Sequence, residues 1–168
     1  MYKIIKIGLH LHSFFTQKSS DLDNRNNDQE VAMSDPENGM NQSGNSLKIL
    51  ITDDDVISGK LVNRIVLKIS RQIISTNSGR EAIEICRNNP DIDLILMDIS
   101  MPQIDGYEVT RQIRLFNKDV VIIAQTAKAS AQDIEDAMNA GFNDHIPKPI
   151  NGRNLLLMIQ KYFDKLEL

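Results

Sequence analysis

Asp53, Asp54 and Asp55 follow directly on the apolar run LKILIT. Two like charges about 4 Å apart repel by roughly 4 kcal/mol at an effective dielectric near 20. Three crowded carboxylates therefore need either solvent or a cation. Other polar residues stand in the same relation to apolar runs. Asp98 closes DLILM, Thr126 follows VVIIAQ, and Lys148 with Pro149 follows NDHIP. Singly, each has a plainer use as a turn residue, a helix cap or a solvated charge. Together they fit phosphoryl transfer onto a carboxylate. Hard oxygen ligands suit Mg²⁺, whose charge screens repulsion between aspartates and incoming phosphoryl oxygens. One carboxylate serves as nucleophile, while a lysine and a hydroxyl hold phosphoryl oxygens.

These residues can meet only if the elements before them run side by side. Strands are expected at 48–52, 72–76, 93–97 and 120–124, with a shorter one near 143–147. Ile57, Leu61, Ile65 and Ile69 recur every four residues, widened by Val62 and Val66, which predicts a first helix with that stripe facing the core. GREAIEICRNN predicts a second helix, stopped by Asn and Pro. Tyr107 to Leu115 makes a third. SAQDIEDAMNAG makes a fourth, with Ser130 as N-cap and Gly141 as its stop, and NLLLMIQKYF a fifth. Strands alternating with helices imply a parallel α/β sheet covered on both faces, with right-handed crossovers. Ligands bind such sheets beyond the carboxyl ends of their strands, where the polar residues above all fall.

The 168 residues allow one ordinary domain with some excess. A net charge of −4 and a pI of about 5.3 argue against nucleic-acid binding, which favours basic patches. The single cysteine, Cys86, cannot form an intramolecular disulfide and reads as a small buried hydrophobe. No run reaches the length of a membrane span. Lys3 and Lys6 interrupt the only candidate targeting segment. A cytoplasmic location is therefore expected. Residues 16–46 are rich in Asn, Ser, Asp and Gln, so 1–46 reads as a flexible tail or linker and 47–168 as the domain. His10 and His12 form an H-x-H pair with no further ligand nearby.

ILITDDD, DLILMDISMPQIDGYEVTRQIR, IIAQTA and NDHIPKPI, in that order and spacing, resemble the receiver domain of two-component response regulators. The wording is also similar to receivers of hybrid sensor histidine kinases. The resemblance covers about residues 47–165. It implies a flavodoxin-like five-stranded sheet in order 2-1-3-4-5 with five helices. Asp98 matches the phosphoacceptor. Asp53 and Asp54 match the acidic pair that holds Mg²⁺ (or Mn²⁺), with the Ser100 backbone carbonyl as a further ligand. Lys148 matches the lysine of the site, and Thr126 the switch hydroxyl. Gly106 matches the turn glycine, and a cis Lys148–Pro149 bond is implied. Where the family usually carries Tyr or Phe as the aromatic partner of the switch, this chain has His145. Asp55 has no counterpart in the acidic pair and is assigned to the loop or to the start of the first helix.

The resemblance implies a phosphorylation-dependent switch rather than an enzyme in the ordinary sense. Its expected partners are a histidine kinase or phosphotransfer protein as donor and a protein target on the helix 4–strand 5–helix 5 face. No kinase motif is visible and no output domain is read after the last helix. Neither nucleic acid nor membrane is expected to bind, and the oligomeric state is open. Alternatives are a receiver belonging to a hybrid kinase and a pseudo-receiver that only binds proteins. A haloacid-dehalogenase-like phosphatase needs an acid two residues after its nucleophile, where this chain has Ser100. Ser100 and Lys128, beside the site, are candidates for tuning the lifetime of the phosphoryl group.

Overall fold

The computed structural model describes residues 46–127 and 130–166. The expected tail, apart from Ser46, and the H-x-H pair lie outside the described residues, as does Lys128. In chain order the elements are β1 (Leu47–Thr52), α1 (Val56–Val66), a single 3-10 turn (Leu67–Ile69), β2 (Ser70–Thr76) and α2 (Gly79–Asn88). They continue with β3 (Leu94–Asp98), α3 (Gly106–Phe116), β4 (Val121–Thr126), α4 (Ala131–Ala140), β5 (Asp144–Pro147) and α5 (Gly152–Gln160). All five strands are parallel, in the order β2-β1-β3-β4-β5. The expected sheet order and alternation are therefore found.

Strand alternation sorts the core into two layers. Ile49, Ile51, Leu94, Leu96, Ile123 and Ile146 point to one side, where α1 and α5 cover them with Val62, Val66, Leu155 and Ile159. Leu50, Ile95, Met97, Ile122 and Ala124 point to the other, against Ala82 and Cys86 of α2, Val109 and Ile113 of α3, and Ala137 of α4. β1 and β3 are buried along their whole length because both faces carry helices.

The boundaries follow local chemistry. Ser130 caps α4 in a reciprocal capping box with Asp133, and Gly141 ends it in the left-handed region at φ 102°. Both were expected. Asp55 caps α1, its side chain accepting from the Ile57 N–H at 2.9 Å. Cys86 is buried, and its burial pushes the thiol pKa up.

The reading of α1 needs correction. Ile57 is 79% exposed and Leu61 49%, so the first half of the four-residue row does not face the core. Val62 and Val66, which widen the stripe, carry the packing together with Ile69 and the partly buried Ile65 from the second half of the row. Ile69 lies in the 3-10 turn rather than in the helix. A helix with apolar residues around much of its circumference gives periodicity no unique answer, and the sheet takes the valines while leaving Ile57 and Leu61 outside. The strand ends also differ: β3 runs one residue past the expected 93–97 and β4 two past 120–124, so Asp98 and Thr126 are the last residues of their strands. α5 stops at Gln160, short of Tyr162 and Phe163.

Candidate functional site

β1 and β3 are neighbours, so their carboxyl ends bring Asp53 and Asp98 together across 45 residues of chain. One carboxylate oxygen from each of Asp53, Asp54 and Asp98 lies within 4.8 Å of the others. Asp53 and Asp98 are buried and Asp54 is exposed, which leaves the group open on one side. The cis Lys148–Pro149 bond expected after β5 is present. Lys148 reaches back over the sheet. Its Nζ donates to Asp98 Oδ2 at 2.7 Å and to Asp53 Oδ2 at 3.0 Å, and its backbone N–H to the Thr126 carbonyl at 2.7 Å.

Backbone donors fix both carboxylates. The Asp55 N–H donates to Asp53 Oδ1 at 3.0 Å, and the Ser100 N–H to Asp98 Oδ1 at 3.1 Å. Gly106 lets the β3–α3 loop close over β3. Its N–H donates to the Ile99 carbonyl at 2.9 Å, and a Cβ on it would stand 2.3 Å from the Asp98 carbonyl oxygen. Any other residue must displace backbone at the very position of Asp98.

Burial raises the Asp53 pKa, and its hydrogen bond and charge contact with Lys148 only partly offset that. For Lys148, burial works against the charged form. The hydrogen bonds and charges of Asp98 and Asp53 outweigh it, so the pKa ends above the usual lysine range. The ammonium is thus held charged beside the carboxylates. Three carboxylate oxygens around one open space are the hard-oxygen set that Mg²⁺ prefers. The donor chemistry of the residues present fits that ion.

Thr126 closes β4, buried, one residue beyond the Asp98–Gln125 pair of the sheet register. His145 sits in β5 with its side chain 26% exposed and its Nδ1 4.0 Å from Asp144 Oδ1. Asp53, Asp54, Asp98 and Lys148 are thus in one cluster, Thr126 and Ser100 border it, and Asp55 stands apart as a cap. Sequence reasoning passed over Gln125, the neighbour of Asp98 in β4. It is 1% exposed, and neither its Oε1 nor its Nε2 has a hydrogen-bond partner among the described residues. The only signal was one amide inside the run VIIAQT.

A doubly wound parallel sheet with an acid-and-lysine rim at its switch point is a broad class. Within it, residues 49–160 match the family model of the response regulator receiver domain, and the chain belongs to that family. It is 35% identical over 132 residues to hybrid signal transduction histidine kinase B of Dictyostelium discoideum, covering 70% of this chain. The chain spans only 7% of that kinase's length. Among solved structures, the receiver domain of sensor histidine kinase PA1611 of Pseudomonas aeruginosa PAO1 superposes with a TM-score of 0.64 at 28% identity. The match covers 71% of this chain and 99% of that one, and that structure has a magnesium ion coordinated in its active-site cleft. The receiver of the Saccharomyces cerevisiae response regulator Ssk1, solved with the histidine phosphotransfer protein Ypd1, gives 0.66 at 29% identity, over 71% and 90% of the two chains. No helix among the described residues is long and apolar enough to cross a membrane.

Proposed function

We propose that this chain is a phosphorylation-dependent switch in a two-component pathway, with Asp98 as the phosphoacceptor. The observation that carries the reading is the Lys148 ammonium bridging Asp98 and Asp53 at the open carboxyl end of the sheet. Asp53, Asp54, Asp98 and the Ser100 carbonyl would hold Mg²⁺, which when bound supplies charge neutralisation for the transferring phosphoryl group. An Asp98 carboxylate oxygen attacks the phosphorus of a phosphohistidine. The new P–O bond forms as the P–N bond breaks, and the imidazole nitrogen keeps the electron pair. Lys148 turns its charge to a phosphoryl oxygen, and the Thr126 hydroxyl donates to another. The added charge then biases the surface around α4, β5 and α5, where His145, Met138 and Leu157 are accessible to a protein target. The likeness to hybrid histidine kinase B supports the same chemistry in a receiver fused to a kinase.

Val56, Ile57 and Leu61 leave an exposed apolar strip on α1, which starts directly after the aspartates. We assign the phosphodonor protein to this strip, since a docked histidine must reach Asp98 from beside it. Ile57→Glu should slow transfer from a histidine phosphotransfer donor at least tenfold. Phosphorylation by acetyl phosphate, which needs no docking surface, should be unchanged. Equal loss with both donors would remove the docking assignment.

The reading is tested by incubating the protein with acetyl phosphate and Mg²⁺ and following intact mass. The wild type should gain one hydroxylamine-sensitive phosphoryl group, and Asp98→Ala none. An unchanged gain in Asp98→Ala would overturn the assignment.

A further inference from the structure

Gln125 is a polar residue where the packing calls for an apolar one. Ile123, two residues earlier on the same side of β4, belongs to the α1–α5 layer, and the two odd residues share that side by strand alternation. Asp98, two residues after Leu96 in β3, takes the same side, and the Lys148 ammonium meets it there at 2.7 Å. Gln125 pairs with Asp98 on β3 and with Ile146 on β5 in the sheet register. Adjacent strands lie about 4.8 Å apart, so the amide stands within a side-chain length of the Asp98–Lys148 contact. It bonds to neither. A buried donor and acceptor left unpaired weaken the resting fold, whereas Leu or Met would fill the same space without that cost.

We propose that Gln125 is a positioning residue that takes its hydrogen bonds only when Asp98 carries a phosphoryl group. This inference rests on the phosphoacceptor reading above. In the resting site the Lys148 ammonium occupies Oδ2 of both Asp98 and Asp53. Once it turns to the phosphoryl oxygens, those carboxyl oxygens lose their donor. The Gln125 Nε2–H₂ group replaces it on the Asp98 acyl oxygen, and Oε1 accepts from the displaced ammonium. The amide thereby makes the resting state dearer and the phosphorylated state better held, and both effects shift the switch the same way.

The test compares wild type, Gln125→Met and Gln125→Leu with Thr110→Val, which removes another buried unpartnered group, in the middle of α3. Tm is measured with Mg²⁺ alone and across a beryllofluoride titration in Mg²⁺. Gln125→Met and Gln125→Leu should raise the resting Tm by about 4 °C. They should also weaken the beryllofluoride response about tenfold in apparent affinity, the loss of one hydrogen bond to a charged site. Thr110→Val should raise Tm without changing that affinity. Wild-type affinity in the Gln125 variants overturns the inference while leaving the phosphoacceptor reading intact. A resting Tm below wild type, or failure of both variants to fold, also overturns it, because the amide would then be partnered at rest. No response in the wild type overturns the phosphoacceptor reading and this inference with it.

Discussion

Lys148→Met is expected to separate metal binding from phosphoryl transfer, with opposite signs. The ammonium lies 2.7 Å from Asp98 and 3.0 Å from Asp53, so it competes electrostatically with any divalent cation held by the same carboxylates. Removing it makes the cluster one charge more negative and should tighten Mg²⁺ several-fold, read by the Mg²⁺ concentration that half-saturates the amide shifts of Asp53 and Asp54. Phosphorylation by acetyl phosphate should fall about a hundredfold or more, the usual cost of losing one preorganised charge on a developing transition state. In the metal-free protein the substitution should also destabilise. It leaves Asp53, whose burial already favours the neutral form, with no counter-charge, and orphaning a buried pair typically costs about 3–5 kcal/mol. Denaturant unfolding without metal should register that loss, and added Mg²⁺ should restore most of it. Looser Mg²⁺ binding in Lys148→Met would mean that the lysine holds the carboxylates in place rather than competing for them.

Gly106→Ala is the second large effect. Its Cβ would meet the Asp98 carbonyl oxygen at 2.3 Å and the Ile99 Cα at 2.9 Å, both backbone atoms that no rotamer change can move aside. Overpacking of a close-packed interior costs about 1–3 kcal/mol, occasionally more. Backbone on both sides puts this case at the upper end, about 3 kcal/mol. Because the displaced atoms belong to Asp98 and Ile99, the Gly106–Ile99 hydrogen bond should break and the acceptor carboxylate should shift. Urea unfolding should show the stability loss, and intact mass after acetyl phosphate a slowed modification. A variant as stable and as reactive as wild type would mean that the β3–α3 loop has room that the structure does not contain.

Much of this arrangement could be read from the chain because each site residue closes an apolar run. The runs KILIT, DLILM and VVIIA are too short for helices and too apolar for loops. Parallel strands then carry Asp53, Asp98 and Thr126 to one edge whatever the loops do. Caps such as Ser130 and Asp55 were legible for a similar reason, since a side chain that bonds its own backbone needs no tertiary partner. What failed was any question that only packing decides. α1 offers Ile57 and Leu61 as well as Val62 and Val66, and propensity cannot choose between them. The sheet buries the valines, leaving Ile57 outside. Gln125 was missed because burial and the absence of partners are properties of neighbours, and a lone amide in a strand carries no pattern. Lys48 is similar: a lysine at a strand start reads as solvated. It is buried, and its Nζ donates to Asn89 Oδ1 and Asp91 Oδ1, both at 2.8 Å, closing the amino end of the sheet.

In the proposed switch, Asp98 accepts a phosphoryl group beside a metal-holding acidic pair and the change reaches Thr126 and His145. Its most direct test is the amide spectrum of the ¹⁵N-labelled protein with Mg²⁺, before and after beryllofluoride, which mimics a phosphoryl group on a carboxylate. Large shifts are expected at Asp98, Ser100, Thr126 and His145 in the wild type, and none at those positions in Asp98→Ala. A wild-type spectrum unmoved by beryllofluoride, or the same shifts in Asp98→Ala, would contradict that switch.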